Sequence, residues 1–478
     1  MRREFIDRRQ ERAELDEAWA SGRPELVVVH GRRRVGKSAL LTRFAAGKPL
    51  AYYVAAEQLE RDQLTDIGKA LGQMSSDHGR RGRPPRLAVR DWDEALAIVT
   101  DAAATRRVGL VIDEFPYLVA ANRALPSLVQ RWWDATGSES NVVVVLAGSQ
   151  QSMMRSLVSS EGALYGRPTR ALHLRPFDYY HAGQFARAWP PEDRVRLYAV
   201  AGGIPDYLEE FDTARPLRDE LLRVAYSPAG RLFREAPDLL RAEFNEPRTY
   251  ETVLRAIANG YLSPGEVAAQ AGLGAANRVT PYLDRLMELG IVERRVPPPE
   301  AGVPRSRNSQ YVIADPYLRF YFALLDPWRS AIQAGQGAAV LAQQWGEEFD
   351  RLVSRAFEEV ARQHLRRLAG AGSAGPFSSV AFWWFAGGDI DAAAMAGPRL
   401  AAAGSAKWTR DQVKPGDLSN LRRDVAIVAP ADAPQLFLYA RSGFDRNLAG
   451  APDVTLVGLR DLYAANLDYE RMATRPRA

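Results

Sequence analysis

The chain has 478 residues, more than one hydrophobic core usually serves, so three or four units of about 100–200 residues or smaller are expected. Its 63 Lys+Arg against 58 Asp+Glu leave a net charge of +5 and a pI near 9.3, which permits a nucleic-acid partner without requiring one. The absence of cysteine excludes disulfides and thiolate metal sites, the apolar runs are strand-length, and the opening MRREFIDRR lacks a signal-peptide core, so a soluble cytoplasmic protein with no membrane partner is expected.

Up to about residue 175 apolar runs alternate with amphipathic segments: ELVVVHG (25–31), LAYYVAA (50–56), VGLVIDEF (108–115) and NVVVVLAGS (141–149). Continuous apolar strands between helices predict an α/β fold with a parallel sheet covered on both faces. The Gly/Pro-rich stretch DHGRRGRPPR (77–86) is expected to be a loop. Directly after the first run comes Gly31-Arg32-Arg33-Arg34-Val35-Gly36-Lys37-Ser38, a G-x-x-x-x-G-K-[ST] loop in the strand-to-helix context that the motif requires. Backbone N–H groups from Gly31 to Ala39 can wrap phosphates, and the helix N-terminus adds its dipole. Lys37 then reaches the β- and γ-phosphates, and Ser38 offers its hydroxyl to Mg2+. An ordinary Gly-rich turn is the alternative. Lys37 is one of only five lysines, with Lys48, Lys69, Lys407 and Lys414, so its place in the motif stands out.

VGLVIDEF sets Asp113 and Glu114 at the carboxyl end of a strand, where α/β sheets bind ligands. Asp113 is the candidate to hold Mg2+, directly or through water, and Glu114 the candidate general base for the attacking water; the two acids can instead cap the following turn. The fourth run ends in AGSQQ, where Ser149 or Gln150 is a candidate to contact the γ-phosphate or orient the water, an ordinary polar strand end being the alternative. No N-K-x-D guanine motif is visible, which favours ATP as the nucleotide.

From 176 to 246 helical patterns such as DELLRVAYS and DLLRAEF replace the strands, and a helical lid subdomain is expected. In 247–332, Ser263-Pro264-Gly265-Glu266 is a capping box with proline at the first helical position. Three short helices followed by IVERRV and RNSQYVIAD read as a winged helix-turn-helix with a β-hairpin wing. Its recognition helix NRVTPYLDRLMEL carries Arg278 and Arg285, with Pro281 in its first turn, and the wing carries Arg305 and Arg307. Asp284 and Glu288 on the same helix keep the surface from being strongly basic, so domain packing stands beside DNA reading as its use. A last unit, 340–478, opens with the helix WGEEFDRLVSRAFEEVARQHL and continues as strand-like runs.

The chain resembles the archaeal-type P-loop ATPases, near the AAA+ and STAND classes, in which a GRRRxGK[ST] loop follows an F-x-x-R-x-x-E box. That box is here Phe5-Ile6-Asp7-Arg8-Arg9-Gln10-Glu11. YGRPTRALHLRPF (165–177), GGIPDYLEEFD (202–212) and YVIADPYLRFYF (311–322) match in family order. The resemblance implies that Arg32, Arg33 and Arg34 sit in or beside the nucleotide loop; from their positions between the two glycines they can pair either with phosphate or with a neighbouring domain's carboxylates. Arg167 is the candidate trigger arginine, stabilising transition-state charge in cis or in trans within a homo-oligomer; a solvated surface arginine is the alternative. Gly202-Gly203-Ile204-Pro205 resembles the hinge of STAND-type helical subdomains.

The last unit resembles the domain of unknown function that closes many of these ATPases, itself similar to PD-(D/E)XK nucleases. The resemblance implies a strand aspartate and an acid-x-lysine about ten to twenty residues on, binding a divalent metal and supporting a water. In FWWFAGGDIDAAAMAGPRLAAAGSAKW (382–408), Asp391 and Lys407 are present and Asp389 shares the face of Asp391, but Ser405 stands at the second acid position. A hydroxyl is a weak, neutral ligand, so the site is incomplete unless Asp389 or a helix acid, Glu348 or Asp350, substitutes. Asp350 occupies the position of the family's helix acid. The expectation is an ATP-binding, Mg2+-dependent switch with a degenerate nuclease-like tail that binds nucleic acid or a protein partner. The alternatives are an ATP-regulated nuclease acting in defence and an ATP-responsive DNA-binding regulator.

Overall fold

The computed structural model describes residues 6, 8–75, 86–303, 306 and 308–464. Most of the expected loop at 77–86 lies outside the described residues, as do Arg305 and Arg307 of the expected wing and Phe5 and Asp7 of the N-terminal box. The chain divides into two compact units, Met1–Pro176 and Phe177–Ala478.

In the first unit the four apolar runs become strands β1 (Glu25–Gly31), β2 (Leu50–Val54), β3 (Val108–Asp113) and β4 (Val142–Gly148), joined by β5 (Arg170–Leu174). They form one sheet in the order β2-β3-β4-β1-β5, with every neighbouring pair parallel. Among the described residues, seven α-helices surround it: α1 (Arg9–Ala20), α2 (Lys37–Ala45), α3 (Glu60–Ser75), α4 (Trp92–Ala103), α5 (Phe115–Ala121), α6 (Leu125–Ala135) and α7 (Gln151–Val158). Strands β1, β3 and β4 are buried along their whole length because both faces are covered. Val27 and Val29 pack with Leu15 of α1 and with Leu40, Leu41 and Phe44 of α2. Leu26 and Val28, which alternate with them, belong to the opposite layer with Met154 of α7 and Trp132 of α6. This two-sided burial is what an unbroken apolar run encodes. The edge strand β5 alternates buried and open positions instead, and for that reason it is not among the apolar runs.

The second unit begins with helices α8 (Tyr179–Gln184), α9 (Pro191–Ala201), α10 (Pro205–Leu208), α11 (Leu217–Val224) and α12 (Arg231–Glu243). Next come α13 (Pro247–Ala258), α14 (Pro264–Gln270) and α15 (Ala276–Glu288), followed by the antiparallel pair β6 (Val292–Arg295) and β7 (Gln310–Ile313). The Ser263–Glu266 capping box is formed at the start of α14. Because α15 begins at Ala276, Pro281 falls in its second turn rather than its first. Helix α16 (Pro316–Phe320) runs into a π-helical turn at Tyr321–Leu325 and is followed by α17 (Arg329–Gln333), α18 (Gly337–Gln344) and the 24-residue α19 (Glu347–Gly370).

A mixed sheet closes the unit, with β8 (Ser379–Phe385), β9 (Gly388–Ala396), β10 (Arg399–Lys407), β11 (Gln435–Ala440) and β12 (Val454–Gly458) in the order β12-β11-β10-β9-β8. The first three strands pair antiparallel and the last three parallel. Helix α20 (Pro415–Val428) connects β10 to β11, and α21 (Leu459–Leu462) follows β12. Ala392 and Ala394 face the layer of Val353, Phe357 and Val360 from α19. Ala393 and Met395, which alternate with them, face Leu418 and Leu421 from α20, and a register shift in the β8–β9 pairing, where Ala381 and Trp383 meet Ala393 and Ile390, brings Ile390 to the same face. One core cluster runs from Phe177 to Leu462, so the segments expected as lid, winged helix and tail share continuous apolar packing. Among the described residues no helix is long and apolar enough to cross a membrane.

Candidate nucleotide site

All five strands of the first sheet are parallel, so their carboxyl ends share one edge, and β1 lies between β4 and β5. The G-x-x-x-x-G-K-S loop leaves that edge at Gly31 and enters α2 at Lys37. Gly36 is the N-cap of α2 with φ 97°, a left-handed conformation that a side chain disfavours, and Arg34 is also left-handed at φ 68°. The first helical bond runs from the Leu40 amide to Gly36 O at 3.0 Å. The amides of Lys37, Ser38 and Ala39 therefore precede the helical ladder at the positive end of its dipole. Lys37 is buried, and its Nζ donates to Gly31 O at 3.0 Å and to Arg32 O at 3.1 Å, holding the ammonium across the loop. Ser38 is exposed, Arg32 and Arg33 are half-buried, Arg34 is exposed, and Val35 is buried against α2.

At the end of β3, Asp113 is fully buried. Its Oδ2 accepts from the Tyr52 hydroxyl at 3.0 Å, and its Oδ1 accepts from the Glu114 amide at 3.0 Å. Burial, followed by the Asp113 charge, keeps the Tyr52 hydroxyl protonated well above its ordinary range, so Tyr52 acts as a donor. Glu114 is left-handed at φ 58°, and its Oε2 accepts from the Ser149 amide at 3.0 Å and the Ser149 hydroxyl at 2.8 Å. The fold thus joins Glu114 to Ser149 at the ends of adjacent strands, while Gln150 is exposed. Arg167 is engaged elsewhere: Nε and Nη2 fork onto Asp134 of α6 at 2.9 and 2.7 Å, and Nη1 donates to Tyr165 O.

Two features at this edge have no strong sequence signal. Tyr52 reads as one more apolar strand residue. His30, just before the loop, stacks on His173 of β5 with centroids 4.6 Å apart and planes 19° from parallel. Burial, then the neighbouring His173, Arg155 and Lys37, lower the His30 pKa to about 4.

In the second sheet Asp391 and Ser405 meet: Asp391 Oδ2 accepts from the Ala406 amide at 2.8 Å and lies 3.4 Å from the Ser405 hydroxyl. Lys407 follows on the same strand, and its charge partly offsets the upward push that burial gives the Asp391 and Asp389 carboxyls. Asp350 is occupied otherwise, with Oδ1 accepting from Trp408 Nε1 and Oδ2 from Arg441 Nη1, both at 3.1 Å; Glu348 is exposed. Another acid of α19, Glu358, has its carboxyl pushed up to about 7 by burial and then by the Asp391 charge. One turn further, Arg362 Nη1 donates to Asp391 O at 2.6 Å. Among the described residues no three His, Cys, Asp or Glu side chains are grouped to hold a metal ion. On α15, Arg278 is exposed and Arg285 pairs with Glu288 at 2.8 Å.

A family profile described as an ATPase domain predominantly from Archaea matches residues 5–211. A second, described as archaeal and bacterial proteins of unknown function, matches residues 321–418. An uncharacterized protein of Methanocaldococcus jannaschii is 30% identical over 425 residues, covering 88% of this chain and 91% of that protein. An uncharacterized ATP-binding protein of the same organism is 35% identical over 46 residues, 10% of this chain and 78% of that one. Among solved structures, the Walker-type ATPase of Pyrococcus abyssi is similar with a TM-score of 0.49 and 22% identity, covering 67% of this chain and 97% of that one. The ORC2 protein of Aeropyrum pernix is similar with a TM-score of 0.43 and 14% identity, covering 71% and 95%.

Proposed function

Because the chain belongs to the archaeal-type P-loop ATPase family, we propose that it binds ATP with Mg2+ and hydrolyses it as a conformational switch. The observation that carries this reading is the single edge at which the Lys37 loop, Asp113 and the Glu114–Ser149 pair gather. The amides of Lys37, Ser38 and Ala39 and the Lys37 ammonium bind the phosphates. Asp113 and Ser38 supply oxygen ligands suited to a hard cation, and Mg2+ when bound neutralises charge on the β- and γ-phosphates. Glu114 takes the proton of the attacking water at Oε2, and Ser149 orients that carboxylate until the water replaces it. Arg167 serves as a trigger, in cis or in trans, by exchanging the Asp134 carboxylate for phosphate, a like-for-like partner for a guanidinium.

On this reading residues 1–175 are the ATPase core, 176–246 a helical lid, 247–332 a winged helix-turn-helix and 340–478 a nuclease-like domain. The order α13-α14-α15-β6-β7 supports the winged helix, and exposed Arg278 is its candidate nucleic-acid contact. The tail acts as a degenerate nuclease domain whose neutral Ser405 weakens any cation site. Its role is to bind nucleic acid or a protein partner according to nucleotide state. A second reading, an ATP-regulated nuclease, draws on Glu358, a carboxyl of α19 that the Asp391 charge helps to keep protonated.

Binding of a fluorescent ATP analogue with Mg2+, and phosphate release, test the central reading. Lys37→Ala is expected to lose both by tenfold or more, about 1.4 kcal/mol or above. A wild-type protein that binds no analogue, or a Lys37→Ala variant that hydrolyses ATP at the wild-type rate, would refute it. Metal-dependent cleavage of DNA or RNA that disappears in Asp391→Ala would select the second reading.

A further inference from the structure

Arg8 is buried to 6% exposure, an uncommon state for an arginine, and its backbone is left-handed at φ 62°. A non-glycine residue holds that conformation only where its surroundings fix it. Its side chain shows what does so. Nη2 donates to Val35 O at 2.9 Å and to Arg175 O at 2.7 Å, and Nη1 pairs with Glu11 at 2.9 Å. One guanidinium thus joins the start of α1, the middle of the phosphate loop and the residue after β5.

The grip on Val35 falls between two left-handed residues, Arg34 and Gly36, where the loop reverses direction. In a planar trans peptide the carbonyl and the following N–H point to opposite sides. Holding the Val35 carbonyl toward Arg8 therefore turns the Gly36 N–H to the other side of the loop.

Resting on the ATPase reading above, we propose that Arg8 is a positioning residue for nucleotide binding: it anchors the Val35 carbonyl so that the Gly36 amide faces the phosphates. Arg8 touches no phosphate itself. Glu11 fixes the guanidinium's orientation, and the Arg175 carbonyl ties the loop to the end of β5. The ligand class is the polyphosphate of a nucleotide, recognised by backbone N–H groups.

The test compares wild type, Arg8→Ala, Arg8→Lys, Glu11→Gln and Lys37→Ala in nucleotide affinity, in kcat against KM, and in amide exchange of the loop without nucleotide. Arg8→Ala is expected to raise KM and Kd about tenfold with kcat within threefold, and to speed exchange across residues 31–37. Arg8→Lys, able to reach one carbonyl at a time, should fall between Arg8→Ala and wild type, and Glu11→Gln should follow it with a smaller loss. Should Arg8→Ala fail to fold, Arg8→Lys and Glu11→Gln carry the comparison. Lys37→Ala is expected to lose nucleotide and sets the binding-dead reference for the affinity measurements. Unchanged affinity and unchanged loop exchange in folded Arg8 variants would overturn the proposal, even if their melting temperatures fell. A wild-type protein that bound no nucleotide would overturn the ATPase reading and the nucleotide role with it, whereas wild-type binding with indifferent Arg8 variants would overturn the Arg8 role alone.

Discussion

Asp113 is held by two donors, Tyr52 and the Glu114 amide. Removing one should loosen the carboxylate without unfolding the strand. Tyr52→Phe is expected to lower the hydrolysis rate several-fold, about 1 kcal/mol for one hydrogen bond, and to raise the Mg2+ concentration needed for half-maximal rate. Steady-state phosphate release across a Mg2+ titration checks it, and an unchanged Mg2+ dependence would count against the role given to Tyr52. At this scale the sequence is unequally informative. The Asp113–Glu114 pair and Ser149 are legible because they end apolar strands. Tyr52 is not, because its partner sits on a neighbouring strand and only the parallel register of β2 against β3, Val54 opposite Asp113, brings the hydroxyl there. The same limit explains the tail. Asp350 and Glu358 lie on the same helix, and only the packing of α19 on β9 and β10 determines that Glu358 feels the Asp391 charge while Asp350 pairs with Arg441.

Elements are easier to read where local chemistry alone specifies them. The Ser263–Glu266 box closes α14 in both directions, Ser263 amide to Glu266 Oε2 at 3.0 Å and Glu266 amide to Ser263 Oγ at 3.3 Å. Ser263→Ala is expected to destabilise the protein by about 1 kcal/mol, seen as a lower urea midpoint with unchanged slope. Gly203 is a stronger constraint. A Cβ there would lie 1.8 Å from Phe177 O, in the turn where the Phe177 amide donates to Gly203 O at 2.8 Å. Gly203→Ala should therefore cost about 1–3 kcal/mol or more, and a wild-type melting temperature in this variant would contradict the close approach. The capping box, the strand-loop-helix of the phosphate loop and four of the five parallel strands follow from pattern. The fifth, β5, escapes because an edge strand alternates and carries His173, and Pro281 moves into the second turn because α15 starts one residue earlier, at Ala276.

Over the molecule as a whole, the second unit depends on charge states that its core imposes. His364 is fully buried on the inner face of α19 with Nδ1 3.2 Å from the Tyr439 hydroxyl, and burial, then Arg367, lowers its pKa to about 3. An unfolded histidine titrates near 6.5. Between these values the unfolded chain takes up a proton that the folded chain refuses, so stability is full above about 6.5 and falls as pH drops toward 3. At pH 4.5 the loss from this group is expected to be about 2–3 kcal/mol. Urea unfolding at pH 7 and pH 4.5 should show that loss in wild type and a smaller one in His364→Gln; equal losses would remove His364 as the cause. The sequence by itself determined the α/β class of the first unit, the phosphate loop with its strand-end acids, and the order of helices and strands that follows, because all of these are written in local periodicity, capping residues and motif spacing. Only the tertiary structure decided that Arg8 grips Val35, that Tyr52 holds Asp113, that Ser149 rather than Gln150 meets Glu114, and that Asp350 pairs with Trp408 and Arg441. Each of these contacts depends on which residues distant in the chain are packed face to face, and no local pattern fixes that register.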